Sequence, residues 1–218
     1  IGSVKIGQII GKEKMKEFLS LIGILDKMEF DIEEVGKPLF FKWGDCKLKT
    51  VSYGHGITVT PIQLAKGYAI LSNGGYQVNP TVIKNKFDKS KSKKILNDDL
   101  SSKINSILRK VVTNGTASLS DVEGYDVGGK TGTAQIVENG LYTSKKINTF
   151  ASVFPISDPK YVLVILLEDT KLSRDYVYKY RNKPGSFKGT PFNTAGWTSV
   201  EIAGKIIDKI GPILATKY

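Results

Sequence analysis

Three β-type runs follow one another between Tyr125 and Asp169, and no other feature restricts the fold as much. They read "YDVGGKTGTAQIV", "KINTFASVFPI" and "KYVLVILLED". β-Branched and aromatic residues are frequent in them, and turn-forming pairs, Asn139-Gly140 and Asp158-Pro159, sit in the links. Links this short join antiparallel neighbours, because a parallel crossover needs about a dozen residues or more. An antiparallel meander is therefore expected. Its last run holds "YVLVILL" from Tyr161 to Leu167, which reads as a buried strand. That run falls far short of the ~20 residues of a membrane-spanning helix.

Helical patterns precede and follow the strands. In "KEKMKEFLSLIG", Met15, Phe18, Leu19 and Ile22 recur at helical spacing, and Gly23 can stop the helix. The stretch from there to about Tyr53 contains Pro38 and "FFKWGD" and reads as a long irregular connection. "TVTPIQLAKGYAILSNGG" is fully punctuated: Thr60 caps, Pro61 takes the first helical position and Asn73-Gly74 closes. Ile62, Leu64, Ala65, Tyr68, Ala69 and Leu71 make that helix apolar on most sides, so burial is expected. The lysine-rich "NKFDKSKSKKILN" reads as a solvated surface segment. Asn97 then caps a helix with Leu100, Ile104, Ile107, Leu108 and Val111 on its apolar face and Gly115 at its end. Beyond the strands, "KLSRDYVYKYRNKPGSFKGTPFN" reads as a basic, tyrosine-bearing loop. "TAGWTSVEIAGKIIDKIGP" reads as a last helix whose Val200, Ile202, Ile206, Ile207 and Ile210 require a partner surface. Helices around an antiparallel sheet define an α+β domain.

One lysine in the first run admits two chemistries. Gly124 to Thr131 fits G-x-x-x-x-G-K-[ST], the phosphate-cradling loop of nucleotide hydrolases, which would imply magnesium and ATP. Lys130-Thr131-Gly132 also fits the K-T-G of serine transpeptidases and β-lactamases. A phosphate loop needs a buried strand before it and a helix after it. Here "LSDVEGYDV" precedes and the strand-like "TGTAQIV" follows, which favours K-T-G. On a strand, Lys130 and Gly132 share one face while Thr131 and Thr133 share the other. An ammonium and hydroxyls there suit a carboxylate, and Gly132 lets a substrate backbone approach.

Composition adds bounds. With 32 Lys+Arg against 21 Asp+Glu, the +11 charge favours an anionic partner without choosing one. No helix carries the ordered Lys/Arg and aromatic interleaving of a nucleic-acid surface, so no nucleic-acid partner is expected. The lone Cys46 rules out an internal disulfide, and it reads as a buried thiol; a Cys46–His55 catalytic pair has no supporting motif.

Several stretches together carry a resemblance. "VSYGHGITVTPIQLAKGYAILSNGGYQVNPTVI", "VVTNGTA", "GYDVGGKTGTAQ", "FASVFPISDPKYVLVILLED" and "TAGWTSVEIAGKII" follow one another as they do in class B penicillin-binding proteins. The likeness is strongest to the septal peptidoglycan D,D-transpeptidases among them. It implies an α+β fold of the penicillin-binding protein/serine β-lactamase type, an antiparallel sheet flanked by helices. It also implies cross-linking of wall stem peptides through an acyl-serine, penicillin binding and no cofactor or metal. The implied partners are stem peptides, β-lactams and other division proteins, at the periplasmic face of the bacterial inner membrane. By the same resemblance Lys130, Thr131 and Gly132 match K-T-G. The Thr133 N–H supplies half of an oxyanion hole, and its side chain meets the substrate carboxylate. A non-catalytic wall-peptide or partner-binding module is the rival reading, and the nucleotide hydrolase the second.

The family's other motifs, S-x-x-K and S-x-N, have no counterpart in family context. S-x-N is absent, and the S-x-x-K strings at Ser90–Lys93 and Ser157–Lys160 fall in the lysine run and a strand link. In the family, sequence like "IGSVKIGQ" directly follows S-x-N, so residues 1–218 are read as the C-terminal portion of a transpeptidase domain lacking its N-terminal part. The resemblance then makes "YVLVILL" a sheet edge in this chain, with unpaired backbone groups that invite association. The expected outcome is that residues 1–218 made alone run as aggregates on gel filtration and melt without cooperativity. A monodisperse, cooperatively melting monomer would overturn the reading of an incomplete domain.

Overall fold

The structure, a computed structural model, describes residues 1–32, 36, 43–84 and 88–217. Pro38, the first three residues of "FFKWGD" and the start of "NKFDKSKSKKILN" lie outside the described residues. The order is α1 (Gly2–Ile10), α2 (Lys12–Leu21), α3 (Asp45–Val51), α4 (Pro61–Ser72), α5 (Asp98–Thr113), β1 (Gly128–Glu138), β2 (Leu141–Phe154), β3 (Tyr161–Glu168), β4 (Val177–Lys179), β5 (Ser186–Lys188) and α6 (Ser199–Ala215). Strands β1, β2 and β3 form the expected antiparallel meander in that spatial order.

The two faces of the sheet have different covers. Phe150 and Phe154 point to the face where Val200, Ala203 and Ile207 of α6 complete a core with Val112, Leu119, Val127 and Tyr178. Val153, one residue out of phase, points to the other face and packs with Leu108 of α5 and Ile156. A smaller apolar cluster, Ile22, Ile24, Leu25 and Ile70, joins the segment after α2 to α4. This parity is the two-residue period of a strand put to use on both sides.

The helix punctuation is realised. Thr60 Oγ1 accepts from Gln63 N–H while Gln63 Oε1 accepts from Thr60 N–H, a closed capping box with Pro61 inside. Asn97 Oδ1 accepts from Leu100 N–H at 2.7 Å. Burial along the helices differs from the apolar pattern. In α4 the buried spine is Gln63, Gly67 and Ile70, and the apolar residues expected inside are only partly covered. Gln63 is tolerated because its Nε2 donates to Asp26 O at 3.0 Å. In α5 the deepest apolar residue is Val112, at 0% exposure, whereas Ile107 stands 62% exposed.

Several segments depart from the sequence pattern. The first residues form a helix, α1, and α3 lies within the supposed irregular connection. β3 is not buried: all its residues are partly or fully exposed, Leu166 at 44%. It is an edge strand among the described residues, covered on its faces but unpaired along its outer side. The basic loop contains the β4–β5 hairpin, with Tyr178 buried. In α6, Ile202 and Ile210 face outward, while Glu201 is buried and the helix runs through Pro212. Cys46 is exposed, not buried. His55 pairs with Tyr142, its Nε2 lying 3.0 Å from the phenol oxygen.

Gly128-Gly129 opens β1 where no side chain fits. A Cβ on Gly129 would sit 2.6 Å from Ala151 O and 2.7 Å from the Phe150 ring. Backbone cannot give way cheaply there, so Gly129→Ala should destabilise by about 2–3 kcal/mol, in the upper range of overpacking costs. Chemical denaturation of the intact polypeptide carrying these residues, with an unchanged midpoint, would refute the tight approach.

Candidate active site

The K-T-G run is fixed before it begins. Arg109 of α5 donates from Nη1 to Asp121 Oδ1 at 2.7 Å and to Val127 O at 2.8 Å. Its Nε lies 3.0 Å from Asp126 Oδ1. Asp126 takes φ 45, a left-handed conformation that Asp tolerates better than most residues. The other Asp126 oxygen accepts from Ser157 N–H, tying the β2–β3 turn to the same point. The chain therefore enters β1 with its register set: Lys130 opposite Ala151, Thr131 opposite Phe150, Thr133 opposite Asn148.

That register divides the motif as the alternation requires. Thr131 and Thr133 share the α6 face with Phe150; Lys130 and Gly132 share the α5 face with Ala151. Lys130 is exposed, and its Nζ donates to Thr131 O at 2.7 Å. A Cβ on Gly132 would meet nothing closer than Thr149, at 3.9 Å, so the glycine leaves open space beside the strand. β1 is the other sheet edge among the described residues. Alternate N–H and C=O groups of such an edge have no strand partner.

Thr131 and Thr133 line a cavity of about 490 Å³ with Thr116, Ser118, Tyr180, Thr194 and Trp197. The hydroxyls are engaged from the far wall. Thr116 Oγ1 and Thr131 Oγ1 are 2.8 Å apart, and Ala195 N–H donates to Thr133 Oγ1 at 3.0 Å. The aromatic wall has its own supports. Tyr178 OH donates to Trp197 O at 2.7 Å, and the two rings meet edge-on at 5.2 Å. Burial holds the Tyr178 phenol above its ordinary pKa, so it stays a donor. Next to Tyr180, Arg181 pairs with the buried Glu201 of α6 at 2.9 Å and donates to Leu119 O. Tyr176 OH donates to the same carboxylate. This fastens the β4–β5 hairpin to α6 and to the turn at 118–120.

The four expected residues, Lys130, Thr131, Gly132 and Thr133, thus stand together on one exposed strand edge beside a hydroxyl-lined cavity. Reasoning on sequence missed Thr116, Thr194, Tyr180 and Trp197; "VVTNGTA" and "TAGW" contain three of them, but no spacing rule joins them to β1. Ser157 and Ser90 are elsewhere. Ser157 sits in the β2–β3 turn, and Ser90 Oγ donates to Asp88 in an exposed turn. The phosphate-loop reading is contradicted. Lys130-Thr131 lies within an 11-residue strand of an antiparallel sheet, and no helix N-terminus follows to face a phosphate. Among the described residues no three His, Cys, Asp or Glu side chains converge to hold a metal.

An antiparallel meander packed between helices, with K-T-G on its edge, is the arrangement that the serine transpeptidase resemblance implies. The chain belongs to the penicillin-binding protein transpeptidase domain family, whose model matches residues 1–186. It is similar to a probable peptidoglycan D,D-transpeptidase FtsI of Caulobacter vibrioides, 26% identical over 230 residues, covering 100% of this chain and 37% of the relative. Stage V sporulation protein D of Bacillus subtilis is 32% identical over 185 residues, covering 78% of this chain and 29% of the relative. The chain therefore spans about a third of the length of these relatives. Among solved structures, the apo transpeptidase domain of Burkholderia pseudomallei penicillin-binding protein 3 superposes with TM-score 0.78 at 21% identity, over 97% of this chain and 61% of that one. Penicillin-binding protein 3 from Mycobacterium tuberculosis, complexed with aztreonam, gives TM-score 0.76 at 22% identity, over 97% and 49%. At these identities the superpositions establish the fold.

The Arg109 clamp is open to direct test. Arg109→Met leaves Asp121, only 8% exposed, without its cation. Breaking such a pair should cost about 3 kcal/mol, the lower end for buried pairs because Arg109 is partly exposed. A loss under about 1 kcal/mol in urea titration of the intact polypeptide carrying these residues would show that the clamp does not hold β1.

Proposed function

We propose that residues 1–218 form the C-terminal, substrate-holding portion of a peptidoglycan D,D-transpeptidase of cell division. The observation that carries this is the K-T-G edge itself: ammonium on one face, hydroxyls on the other, an open strand edge between and a cavity alongside. An extended stem peptide laid along β1 takes the unpaired backbone groups as a further strand does. Gly132 gives it room. Its terminal carboxylate is met by the Thr131 and Thr133 hydroxyls, with Lys130 supplying positive charge across the edge. The Thr133 N–H serves as one donor to the oxyanion that forms when the scissile carbonyl is attacked.

The nucleophile comes from sequence outside these residues, since S-x-N is absent and neither S-x-x-K serine lines the cavity beside Thr131 and Thr133. In the proposed reaction a serine oxygen bonds to the carbonyl carbon and the terminal amino acid departs as an amine. An amine of a second stem peptide then displaces the serine. No metal or redox cofactor enters. In this reaction a β-lactam stops at the acyl stage; the similar penicillin-binding protein 3 from Mycobacterium tuberculosis takes aztreonam, a ligand of that class. The proposal extends to a septal role at the periplasmic face of the inner membrane, with other division proteins as partners; similarity to a protein named FtsI is what supports the division role. No helix among the described residues is long and apolar enough to cross a membrane.

The rival, a wall-peptide module without turnover, is separated by one measurement. Fluorescent penicillin should label the intact polypeptide carrying these residues and leave residues 1–218 alone unlabelled. In the intact polypeptide, Lys130→Ala should slow acylation by about a hundred- to a thousand-fold, as loss of one charge-stabilising group does. Unchanged acylation removes Lys130 from the site. Labelling of the isolated chain at Ser90 or Ser157 would replace the external nucleophile.

A further inference from the structure

Thr133 is not positioned by β1 alone. Asn148 faces it from β2 and is 0% exposed, at a strand position where an apolar side chain is the ordinary occupant. Its Nδ2 donates to Asn193 Oδ1 at 2.6 Å and to Thr170 Oγ1 at 2.9 Å. Thr170 Oγ1 donates to the same Asn193 oxygen at 2.6 Å, and Asn193 Nδ2 donates to Thr170 O at 2.9 Å. Both ends of the Asn193 amide are therefore occupied. Two residues further on, Ala195 N–H donates to Thr133 Oγ1.

We propose that Asn148 and Asn193 are positioning residues that make Thr133 a hydrogen-bond donor to an anionic substrate group. A threonine oxygen has one proton to give. While Ala195 N–H occupies the Thr133 oxygen from the loop side, that proton is left to turn into the cavity. A carboxylate, which only accepts, needs such a donor. If the loop withdrew, the hydroxyl would turn freely and the proton would no longer be held toward the cavity in advance. The relay thus selects for the negative charge of a substrate terminus. Burying this much polarity is costly, which fits a specific role in the site. Asn148 Oδ1 has no partner among the described residues, and an apolar residue would avoid that penalty.

The inference rests on the transpeptidase reading, and the test separates the two. The intact polypeptide is labelled with fluorescent penicillin bearing its free carboxylate and, in parallel, with its methyl ester. The wild type should prefer the acid. Asn193→Ala should reduce that preference about ten- to a hundredfold, the worth of a hydrogen bond to a charged group, while ester labelling changes less than about threefold. Thr133→Val should abolish the acid preference whatever it does to the absolute rate, and the double variant should lose no more of that preference than Thr133→Val alone. Asn148→Ser, judged by the same ratio, serves if Asn193→Ala does not fold; a thermal melt shows which variants are intact. Equal slowing of acid and ester, an unchanged ratio, or a double variant whose loss is the product of the singles overturns the relay while the enzyme reading stands. No labelling of the wild type by either probe overturns both.

Discussion

The Arg109 guanidinium is the contact on which the site depends. It reaches from α5 to Asp121, Asp126 and the Val127 carbonyl, and so fixes both ends of the segment that delivers β1. A planar guanidinium suits this position because its donors diverge in fixed directions; a lysine would satisfy one acceptor at a time. The partner Asp121 also accepts from Asn182 Nδ2 at 2.6 Å, beyond β4. One cation therefore references the K-T-G strand to a helix on one side and, through Asp121, to the hairpin segment on the other.

From that anchor the two-residue period distributes roles. Odd and even positions of β1 fall to different faces, one closed by α6 with the end of α5 and the other by Leu108 of α5. Lys130 cannot share a wall with Thr131, so a ligand held by both must lie across the edge, not in a pocket on either face. This explains why Gly132 is bare and why the cavity is lined by hydroxyls without the lysine. Two glycines before the motif permit the close approach of β1 to Phe150 and Ile156 that seats it.

The sheet order, the α4 and α5 caps and the division of K-T-G between faces were legible in the sequence, because each follows from local chemistry: turn pairs, capping side chains and strand alternation. What was not legible depends on contacts distant in the chain. Gln63 and Glu201 are buried because Asp26 O, Tyr176 and Arg181 meet them, and no periodicity encodes those partners. Ile107 and Ile210 fit an apolar helical stripe yet face outward, since the face of a helix that packs is chosen by the neighbour it finds. The β4–β5 hairpin was hidden by its basic composition; three-residue strands carry too little alternation to register. Thr116 and Trp197 belong to the site only through the fold.

The two edges of the same sheet show how differently unpaired backbone can be managed. β1 presents Lys130, Gly132, Gln135 and Glu138 along an exposed strand, with a bulge between Gln135 and Val137. Charge, glycine and irregular register discourage pairing with another copy, yet leave room for the extended, carboxylate-bearing peptide of the proposed function. β3 offers Val162, Val164 and Leu166 with no charge until Glu168. An edge of that composition favours a permanent strand neighbour over a transient ligand. The proposed function thus assigns reversible binding to the edge where backbone hydrogen bonds are available without an apolar surface to make them irreversible.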